Sequence, residues 1–598
     1  MLRPFGYCRR SAGARVIAAV AGAIALASGA DVLALEARAS GALVFGAAWR
    51  TQAPDPKLLV AYNAAVIGLH GLANGGHNTD DANLNFRRGD ATTRALKGYL
   101  DLAFSEGSFS ALLRLKAWHD FALSDHPRPW GNNANGYTGG QALGDSGADR
   151  LSRFSGVAPG EAVVQHQGTA GAVRIRTRLG QQSLAWGERA GFGGGLASLN
   201  ALDQPASHRA GAMQQELRVP LPMLFVRTDV HPALALEGFY TRTFRPSALD
   251  MCGTFWATVD YLAGGCERAF AGAMAVNDRD RLQGGLYLKR GPSPFANDGA
   301  QYGLAAHLNW PAGGTQFGLY HARTIATTPM PGLYKSTRVG PGLVAGDPDG
   351  KNIVFFVGHA EDIKLFAVDA AHQNGATTWR AELAYRPNQP LMLPPGDVLP
   401  AFLSPSAPSL LRADADAIAP GGVFTGFDRY RTVQLQAGVQ HEWGRAGSAI
   451  WSGAAHIVGK HVMSLPDPAR RRYGRPEQFG TGPVGGVCTV TALDAARQCS
   501  LAGYVSASAW AYRLRIDARL AELLPGLKSV VSAQFTHDVK GWSHDFLLSE
   551  GRKAMQLALR FEYQQRYLAE LVATPVWGGA YNNQIDRDQL ALAVGIKF

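Results

Sequence analysis

The chain has 598 residues, of which 46% are hydrophobic and 18% charged, with 71 glycines, 32 prolines and a net charge of +11. Charged residues are fewer than the ~25% usual in globular proteins, and a mean hydropathy of −0.08 excludes a largely disordered chain. Basic and acidic residues are interleaved, so the composition argues against a nucleic-acid-binding surface. The fold class must therefore come from the spacing of the apolar residues.

The N-terminus has the pattern of a secretory signal peptide. Four arginines, the last of them Arg15, precede or border the apolar run 16–27, which is too short to cross a bilayer as a helix. Small or compact residues then allow cleavage after Ala34, with Ala30 as a second candidate. We predict a signal peptide over residues 1–34 and a mature chain over 35–598. A short buried helix is the alternative interpretation of the apolar run.

Four cysteines remain after this cleavage, and they form two local pairs, Cys252 with Cys266 and Cys488 with Cys499. An even number of cysteines in an exported protein favours disulfide bonds, whereas free buried thiols are the alternative. The sequence has no CxxC motif and no Cys/His spacing of the zinc-binding kind. We therefore predict two local disulfides, no metal site and no cofactor.

No apolar run of 18 residues remains in the mature chain, so no transmembrane helix is predicted. Many segments instead alternate between apolar and polar residues. From Phe109 to Ala117 the odd positions are apolar, whereas Ser110, Arg114, Lys116 and Asp120 lie on the other face. The same period returns in several later segments: 379–386, 432–440, 510–519 and 555–564. This period predicts antiparallel strands with one apolar face, either in a soluble sheet or in a membrane barrel.

The last nine residues distinguish these two possibilities. The face that contains Leu590, Leu592 and Val594 ends at a C-terminal phenylalanine, Phe598. This resembles the closing strand of bacterial outer-membrane barrels, which the barrel-assembly machinery recognises. Aromatic residues such as Trp443 end other apolar faces, as a membrane-interface girdle requires. The membrane barrel is therefore favoured over a soluble sandwich or propeller.

In lipid every backbone polar group must be paired, and a sheet achieves this only if it closes. We therefore predict an all-β fold, a closed antiparallel transmembrane β-barrel of 16 to 18 strands in the outer membrane of a Gram-negative bacterium. The remaining residues must form long extracellular loops, predicted at 244–278, 388–427 and 464–500 from their prolines and cysteines. Residues 58–80 include apolar spacing suited to a short helix, which we expect in the lumen or on the periplasmic side of the barrel.

Residues 176–224 carry a more specific pattern. Arg178-Leu179-Gly180 is followed by Trp186-Gly187-Glu188, a glycine-rich run and Pro220-Leu221-Pro222-Met223-Leu224. This order of motifs resembles the Gram-negative outer-membrane proteins catalogued as domain-of-unknown-function family 1302. Ala201, Ala210 and Gln215 depart from that pattern.

The resemblance implies a barrel without an established activity. Members of the family are often encoded near a periplasmic lipid-carrier-like protein and inner-membrane transporters of the resistance-nodulation-division type. By analogy, it implies passage, and in particular export, of hydrophobic or amphipathic lipid-like molecules. Outer-membrane lipid and the assembly machinery are the other expected partners.

Three arginines are the strongest candidates for a functional surface. Arg174, Arg176 and Arg178 share one strand face, which must point into the lumen because an arginine facing lipid costs ~2–4 kcal/mol at the midplane. Arg513, Arg515 and Arg519 form a second such wall. These cations could attract carboxylates or phosphates. Alternatively, they pair with lumen carboxylates and brace the interior, for which the candidates are Asp120, Glu188, Asp517 and Glu562.

Trp186 and Glu188 stand beside a glycine-rich run, which predicts a tight or closely packed turn. They could contact substrate at a constriction or anchor a plug. The sequence has no GxSxG or HExxH motif, so we predict that the protein is not an enzyme. The alternatives to lipid passage are a diffusion porin for small anions and a structural or surface barrel with a plugged lumen. An apolar path would favour lipids, and an arginine-lined bore would favour anions.

Overall fold

The computed structural model describes residues 36–187, 191–272, 275–310, 313–488, 493–522 and 524–598. The predicted signal peptide and Glu188 lie outside these residues. The described residues form eighteen long strands, β1 to β18. In chain order they are Glu36–Arg50, Ala91–Glu106, Phe109–Asp120, Ser155–Ala170, Val173–Gln182, Leu221–His231, Leu234–Thr241, Gln301–Trp310, Thr315–Thr324, Ile363–Asn374, Thr377–Met392, Phe427–Ala446, Ala449–Val462, Ser508–Leu520, Leu527–Lys540, Lys553–Tyr563, Tyr567–Thr574 and Gln589–Lys597.

Each strand pairs antiparallel with its neighbours in sequence, and β18 pairs with β1 to close the barrel. The closing register runs from Ala42 opposite Lys597 to Arg50 opposite Gln589. Beyond it, Gly41 and Phe598 exchange two backbone hydrogen bonds of 2.8 and 3.1 Å. A Cβ atom on Gly41 would lie 2.7 Å from the Phe598 ring, so the C-terminal aromatic packs onto the first strand. The predicted closed barrel is confirmed, at the upper end of the expected strand number.

The alternation of side chains divides the barrel wall into an apolar exterior and a polar interior. Leu179, Leu304 and Leu319 point outward and are 64%, 62% and 59% exposed. On β18 Leu590, Leu592 and Val594 are likewise exposed, as is Phe598 at the end of the chain, and all lie on the face that the sequence predicts. Such an exterior suits lipid, and the barrel is therefore a transmembrane one. Among the described residues, no helix is long and apolar enough to cross a membrane.

The two ends of the barrel differ in the length of their connections. Turns of two to six residues join alternate strand pairs at the end where both termini of the barrel lie. The opposite end carries the long connections: 51–90, 121–154, 183–220, 242–300, 325–362, 393–426, 463–507, 541–552 and 575–588. Short turns face the periplasm in outer-membrane barrels, so the long connections belong to the extracellular side.

The long connections fold into a cap with its own core. A small five-stranded sheet joins Arg268–Phe270, Tyr287–Arg290, Val354–Gly358, Met330–Tyr334 and Val423–Phe424. Both predicted disulfides are present in this region, with Cα atoms 6.3 Å apart for Cys252–Cys266 and 5.5 Å for Cys488–Cys499.

Two sequence expectations about the connections need correction. The loop predicted at 388–427 begins at 393, because β11 continues to Met392 past a register shift between Arg386 and Gln389. The segment 58–80, for which a periplasmic position was one expectation, connects β1 to β2 at the long-connection end. It contains the short helix Ala61–Val66 and packs through Leu59 and Ala64 against Trp130.

Candidate functional site

One long connection enters the barrel and contacts its inner wall. We call residues 183–220, between β5 and β6, the lumen segment. Its first anchor is Trp186, which is buried against Phe239 on β7 and Tyr320 on β9, with ring centroids 5.4 and 5.3 Å away. The Trp186 indole nitrogen donates a 2.7 Å hydrogen bond to Glu237 of β7. Trp186 therefore holds the segment against the wall.

Gly187 supplies the tight turn that the sequence predicts after this tryptophan. Its φ of 74° lies in the left-handed region, and a Cβ atom there would lie 2.4 Å from the backbone nitrogen of Ala197. Any other residue would push two stretches of the lumen segment apart. The turn lets the chain double back within the bore.

The segment then contacts the wall formed by β11 to β14. Gly191 O accepts a 2.5 Å hydrogen bond from Arg513, whose guanidinium group also lies 4.6 Å from the Phe192 ring centroid. The Phe192 backbone nitrogen donates to Gln436 at 3.2 Å. The Leu196 backbone nitrogen donates to Glu382 at 3.0 Å. These bonds satisfy backbone groups that would otherwise be buried without partners.

The connection 541–552 supports the same part of the lumen segment. Its Leu548 packs against Phe192, and its Asp545 forms an ion pair with Lys460 of β13. Burial disfavours a charged Asp545, but the adjacent Lys460 ammonium outweighs this and holds the pKa of Asp545 below its ordinary value. Burial lowers the pKa of the neighbouring His544 to about 4, so that imidazole is neutral at pH 7.

The second half of the lumen segment is fixed to the opposite side of the barrel. Lys97 of β2 pairs with Glu216 at 2.6 Å, and Lys116 of β3 pairs with Asp203 at 2.5 Å. All four side chains are at most 5% exposed. The lumen segment thus reaches from β2 and β3 to β14 and narrows the bore.

The arginines of β5 face the part of the bore beside this segment. Leu179 points outward, so Arg174, Arg176 and Arg178 point inward. None of the three forms an ion pair or side-chain hydrogen bond with another described residue, and the Nε atom of Arg176 is buried without a partner. Their neighbours across β6 are Phe225, Arg227 and Asp229. The nearby carboxylates form ion pairs with Arg227 instead: Asp229 at 2.9 Å and Glu237 at 2.7 Å.

The carboxylates expected to brace the β5 arginines have other partners. Asp120 accepts hydrogen bonds from the Thr93 hydroxyl, from the backbone nitrogen of Arg94 on β2 and from that of Ala122 just after β3. Asp517 pairs with Arg515, and Glu562 pairs with Lys597. Glu188 lies outside the described residues.

The second predicted wall differs from the β5 series because its arginines have partners. Arg515 pairs with Asp517 at 2.8 Å, and Arg519 forms an ion pair with Glu442 on β12. Arg513 binds the lumen segment through Gly191. The structure therefore separates the predicted arginines into an unpaired series on β5 and a paired wall on β14.

The sequence reasoning missed the ion pairs that fix the lumen segment. Lys97 and Lys116 occupy inward positions of their strands, which the alternation indicates correctly. Their partners Glu216 and Asp203 lie about a hundred residues away, in a segment without alternation. No local pattern links such a lysine to its carboxylate.

Comparison with known proteins gives a family but no activity. The family model described as a protein of unknown function, DUF1302, matches residues 10–598. No curated protein matches the chain.

Several solved structures are similar over most of their length. OccAB1 of Acinetobacter baumannii is 7% identical, with a TM-score of 0.41 and 94% of this chain and 96% of that one covered. OpdK of Pseudomonas aeruginosa, solved with vanillate, is 10% identical, with a TM-score of 0.38 and coverage of 94% and 98%. A BenF-like porin of Pseudomonas fluorescens is 10% identical, with a TM-score of 0.40 and the same coverage. These likenesses are weak, and the match to the family model over almost the whole chain shows that the protein belongs to the DUF1302 family.

Proposed function

We propose that this protein is an outer-membrane channel for small anionic molecules, with a bore narrowed by the lumen segment. The observation that carries the proposal is the series Arg174, Arg176 and Arg178, which faces the bore without a described ion-pair partner. An arginine with a carboxylate partner is largely neutralised, whereas an unpaired one leaves its charge available to a solute. The β5 wall can therefore attract anions.

The spacing of the three arginines would let an anion move along the wall of the bore. Alternate residues of a strand are ~6.7 Å apart, so a carboxylate or phosphate can pass from one guanidinium group to the next. Gln165 and Gln167 of β4 lie opposite Arg178 and Arg176 and extend the polar surface. Charge of one sign on the wall of a narrow bore raises the local concentration of the opposite charge.

Lipid-like cargo has less support than small anions. Beside Arg174 and Arg176 the inward neighbours on β4 and β6 are polar: Gln167, Thr169, Arg227 and Asp229. Phe225 beside Arg178 is apolar, so the wall offers more to a charged group than to a lipid chain. An amphipathic carboxylate could still use the arginines through its head group. We propose no enzymatic activity, because passage requires only the wall and the constriction.

The proposal is tested by ion selectivity in planar lipid bilayers. The variant R174Q/R176Q/R178Q keeps polar side chains and removes three positive charges. We expect the reversal potential in a salt gradient to shift toward cation preference. The matched control is R560Q/E570Q, which removes an ion pair of 2.6 Å on β16 and β17 without changing the net charge. We expect the control to keep the wild-type selectivity.

A purely structural role of the three arginines predicts the opposite changes in stability and selectivity. If the arginines only stabilise the barrel, the triple variant should unfold at a lower temperature in detergent while its selectivity stays that of the wild type. That result would refute the channel proposal for these residues. A wild-type protein that forms no conducting pore at all would instead favour the barrel with a plugged lumen.

A further inference from the structure

A group of buried carboxylates lies in the long connections, outside the bore. Asp80, Asp81 and Asp260 are at most 2% exposed, and one ligand oxygen from each lies within 4.8 Å of the other two. Asp80 and Asp81 stand at the start of the short helix Asp81–Asn85, in the connection after β1. Asp260 belongs to the connection between β7 and β8. Two segments far apart in sequence therefore bring three acids together.

No described residue forms an ion pair with Asp80 or Asp260. Arg587 is near enough to Asp260 to interact with it electrostatically, but its ion-pair contact, at 3.8 Å, is with Asp586. His77 and Arg281 contact Asp278, at 2.7 and 3.6 Å. Buried ionised carboxylates this close together require a compensating cation.

A second observation points to a ligand at this place. Two buried side-chain oxygens, Asp260 Oδ1 and Asn83 Oδ1, have no hydrogen-bond partner in the described part of the chain. Asn83 is 1% exposed and follows Asp80 by three residues, so the two side chains share one face of the short helix. Buried oxygens without donors are uncommon in folded proteins and often mark a bound water or ion.

The carboxylate of Asp80 is itself held in place. Its oxygens accept hydrogen bonds from the Val60 backbone nitrogen at 3.0 Å and from the Asn63 amide at 3.1 and 3.3 Å. Each carboxylate oxygen can accept more than one interaction, so these bonds orient Asp80 and leave acceptor capacity free. Such support is typical of metal-ligating carboxylates.

We propose that Asp80, Asp81 and Asp260, together with the amide oxygen of Asn83, form a calcium site. An all-oxygen donor set selects hard cations. Calcium takes about 6–8 oxygen ligands in flexible geometry, whereas magnesium usually keeps several waters and binds through one or two carboxylates. The three carboxylate oxygens lie within 4.8 Å of one another, so one ion can contact all of them, and a site built from several protein oxygens suits calcium better. A bound ion would fasten the 51–90 connection to the 242–300 connection and stiffen the extracellular cap.

The test uses the full-length mature protein purified in detergent and stripped of metal with a chelator. Calcium should raise its unfolding temperature in a saturable manner. Terbium, which replaces calcium, should give luminescence when tryptophan is excited, because the Trp130 indole nitrogen donates a 2.5 Å hydrogen bond to Asp81. Calcium should then compete with terbium and abolish the signal.

Variants identify the ligands. D260N and N83A should each weaken calcium binding, D260N by at least about tenfold, because a charged ligand is lost. The matched control is D416N, which removes the charge of an exposed aspartate in another long connection. It should leave the calcium response unchanged. If D260N does not fold, N83A alone tests the site.

A wild-type protein with no calcium-dependent change in unfolding temperature and no saturable terbium signal would overturn the site. The same result together with a more stable D260N would show that these carboxyl groups are kept protonated instead. A calcium response that persists unchanged in both D260N and N83A would also refute the proposed ligands.

Discussion

Substitutions in the ion pair between Lys97 and Glu216 test how the lumen segment is held in the barrel. Their side chains are 1% and 5% exposed, and the charged atoms are 2.6 Å apart. Removing one partner of a buried pair leaves an uncompensated charge, which costs about 3–5 kcal/mol. We therefore expect K97M and E216Q each to lose stability on this scale. In E216Q the residual charge is Lys97, which also has the cations Lys116 and Arg209 nearby.

The double variant K97M/E216Q should recover most of this loss, because neither charge remains. Glu216 also accepts a 3.0 Å hydrogen bond from the Met213 backbone nitrogen, and the oxygen of a glutamine can still accept it. The coupling between the two substitutions therefore isolates the ion pair. An exposed pair provides the control: Arg323 and Asp362 are 46% and 43% exposed, so R323Q should change stability by less than about 1 kcal/mol.

Two measurements detect the effect of these substitutions on the barrel and on the lumen segment. Gel mobility of heated and unheated protein gives the unfolding temperature of the barrel in detergent, and planar bilayers give single-channel conductance. Detaching one half of the lumen segment requires less free energy than unfolding the whole barrel. We expect each single variant to show larger or noisier conductance before its unfolding temperature falls far. Single variants that match the wild type in both measurements would refute this account of the constriction, as would a double variant more damaged than either single one.

Three further predictions concern the seam, the disulfides and pH. Deleting Phe598 removes the ring against Gly41 and two backbone hydrogen bonds, so the amount of heat-modifiable barrel in outer-membrane fractions should fall sharply; an unchanged amount would contradict its role in assembly. Replacing Cys252 and Cys266 by serine should destabilise the cap by on the order of 3 kcal/mol, and peptide mapping that finds free thiols in the wild type would exclude the bond. Burial raises the pKa of Glu477 from 4.5 to about 7, so the folded state binds more protons than the unfolded state in this range and stability should fall as pH rises through it. E477Q should remove that part of the decline when unfolding temperatures at acidic and neutral pH are compared.

The barrel wall was predictable because lipid and lumen place opposite demands on adjacent residues. A period of two is therefore visible wherever a strand crosses the membrane, as in β3 and β18. The sequence indicated the end of β11 less clearly. Pro387 and Pro390 resemble loop residues in the sequence, but the strand continues past them because a register shift accommodates residues that cannot donate to the ladder.

The lumen segment and the cap were not predictable in the same way. Their stability comes from contacts between residues far apart in sequence, such as Trp186 with Glu237 or Asp80 with Asp260. Neither segment has a period that fixes which side chain faces which neighbour. The glycine-rich run did indicate close packing, but the wall against which it packs follows only from the closed barrel.

The difference between paired and unpaired arginines leads to a last prediction. Arg515 has a carboxylate, Asp517, two residues along its own strand, whereas the inward face of β5 carries no carboxylate beside Arg174, Arg176 and Arg178. Guanidinium groups stay protonated throughout the pH range in which proteins remain folded. Anion preference that arises from the β5 arginines should therefore be the same at about pH 5 and about pH 9. Reversal potentials measured across this range test the point. A preference that disappears as pH rises through about 6.5 would instead identify a histidine as the selective cation.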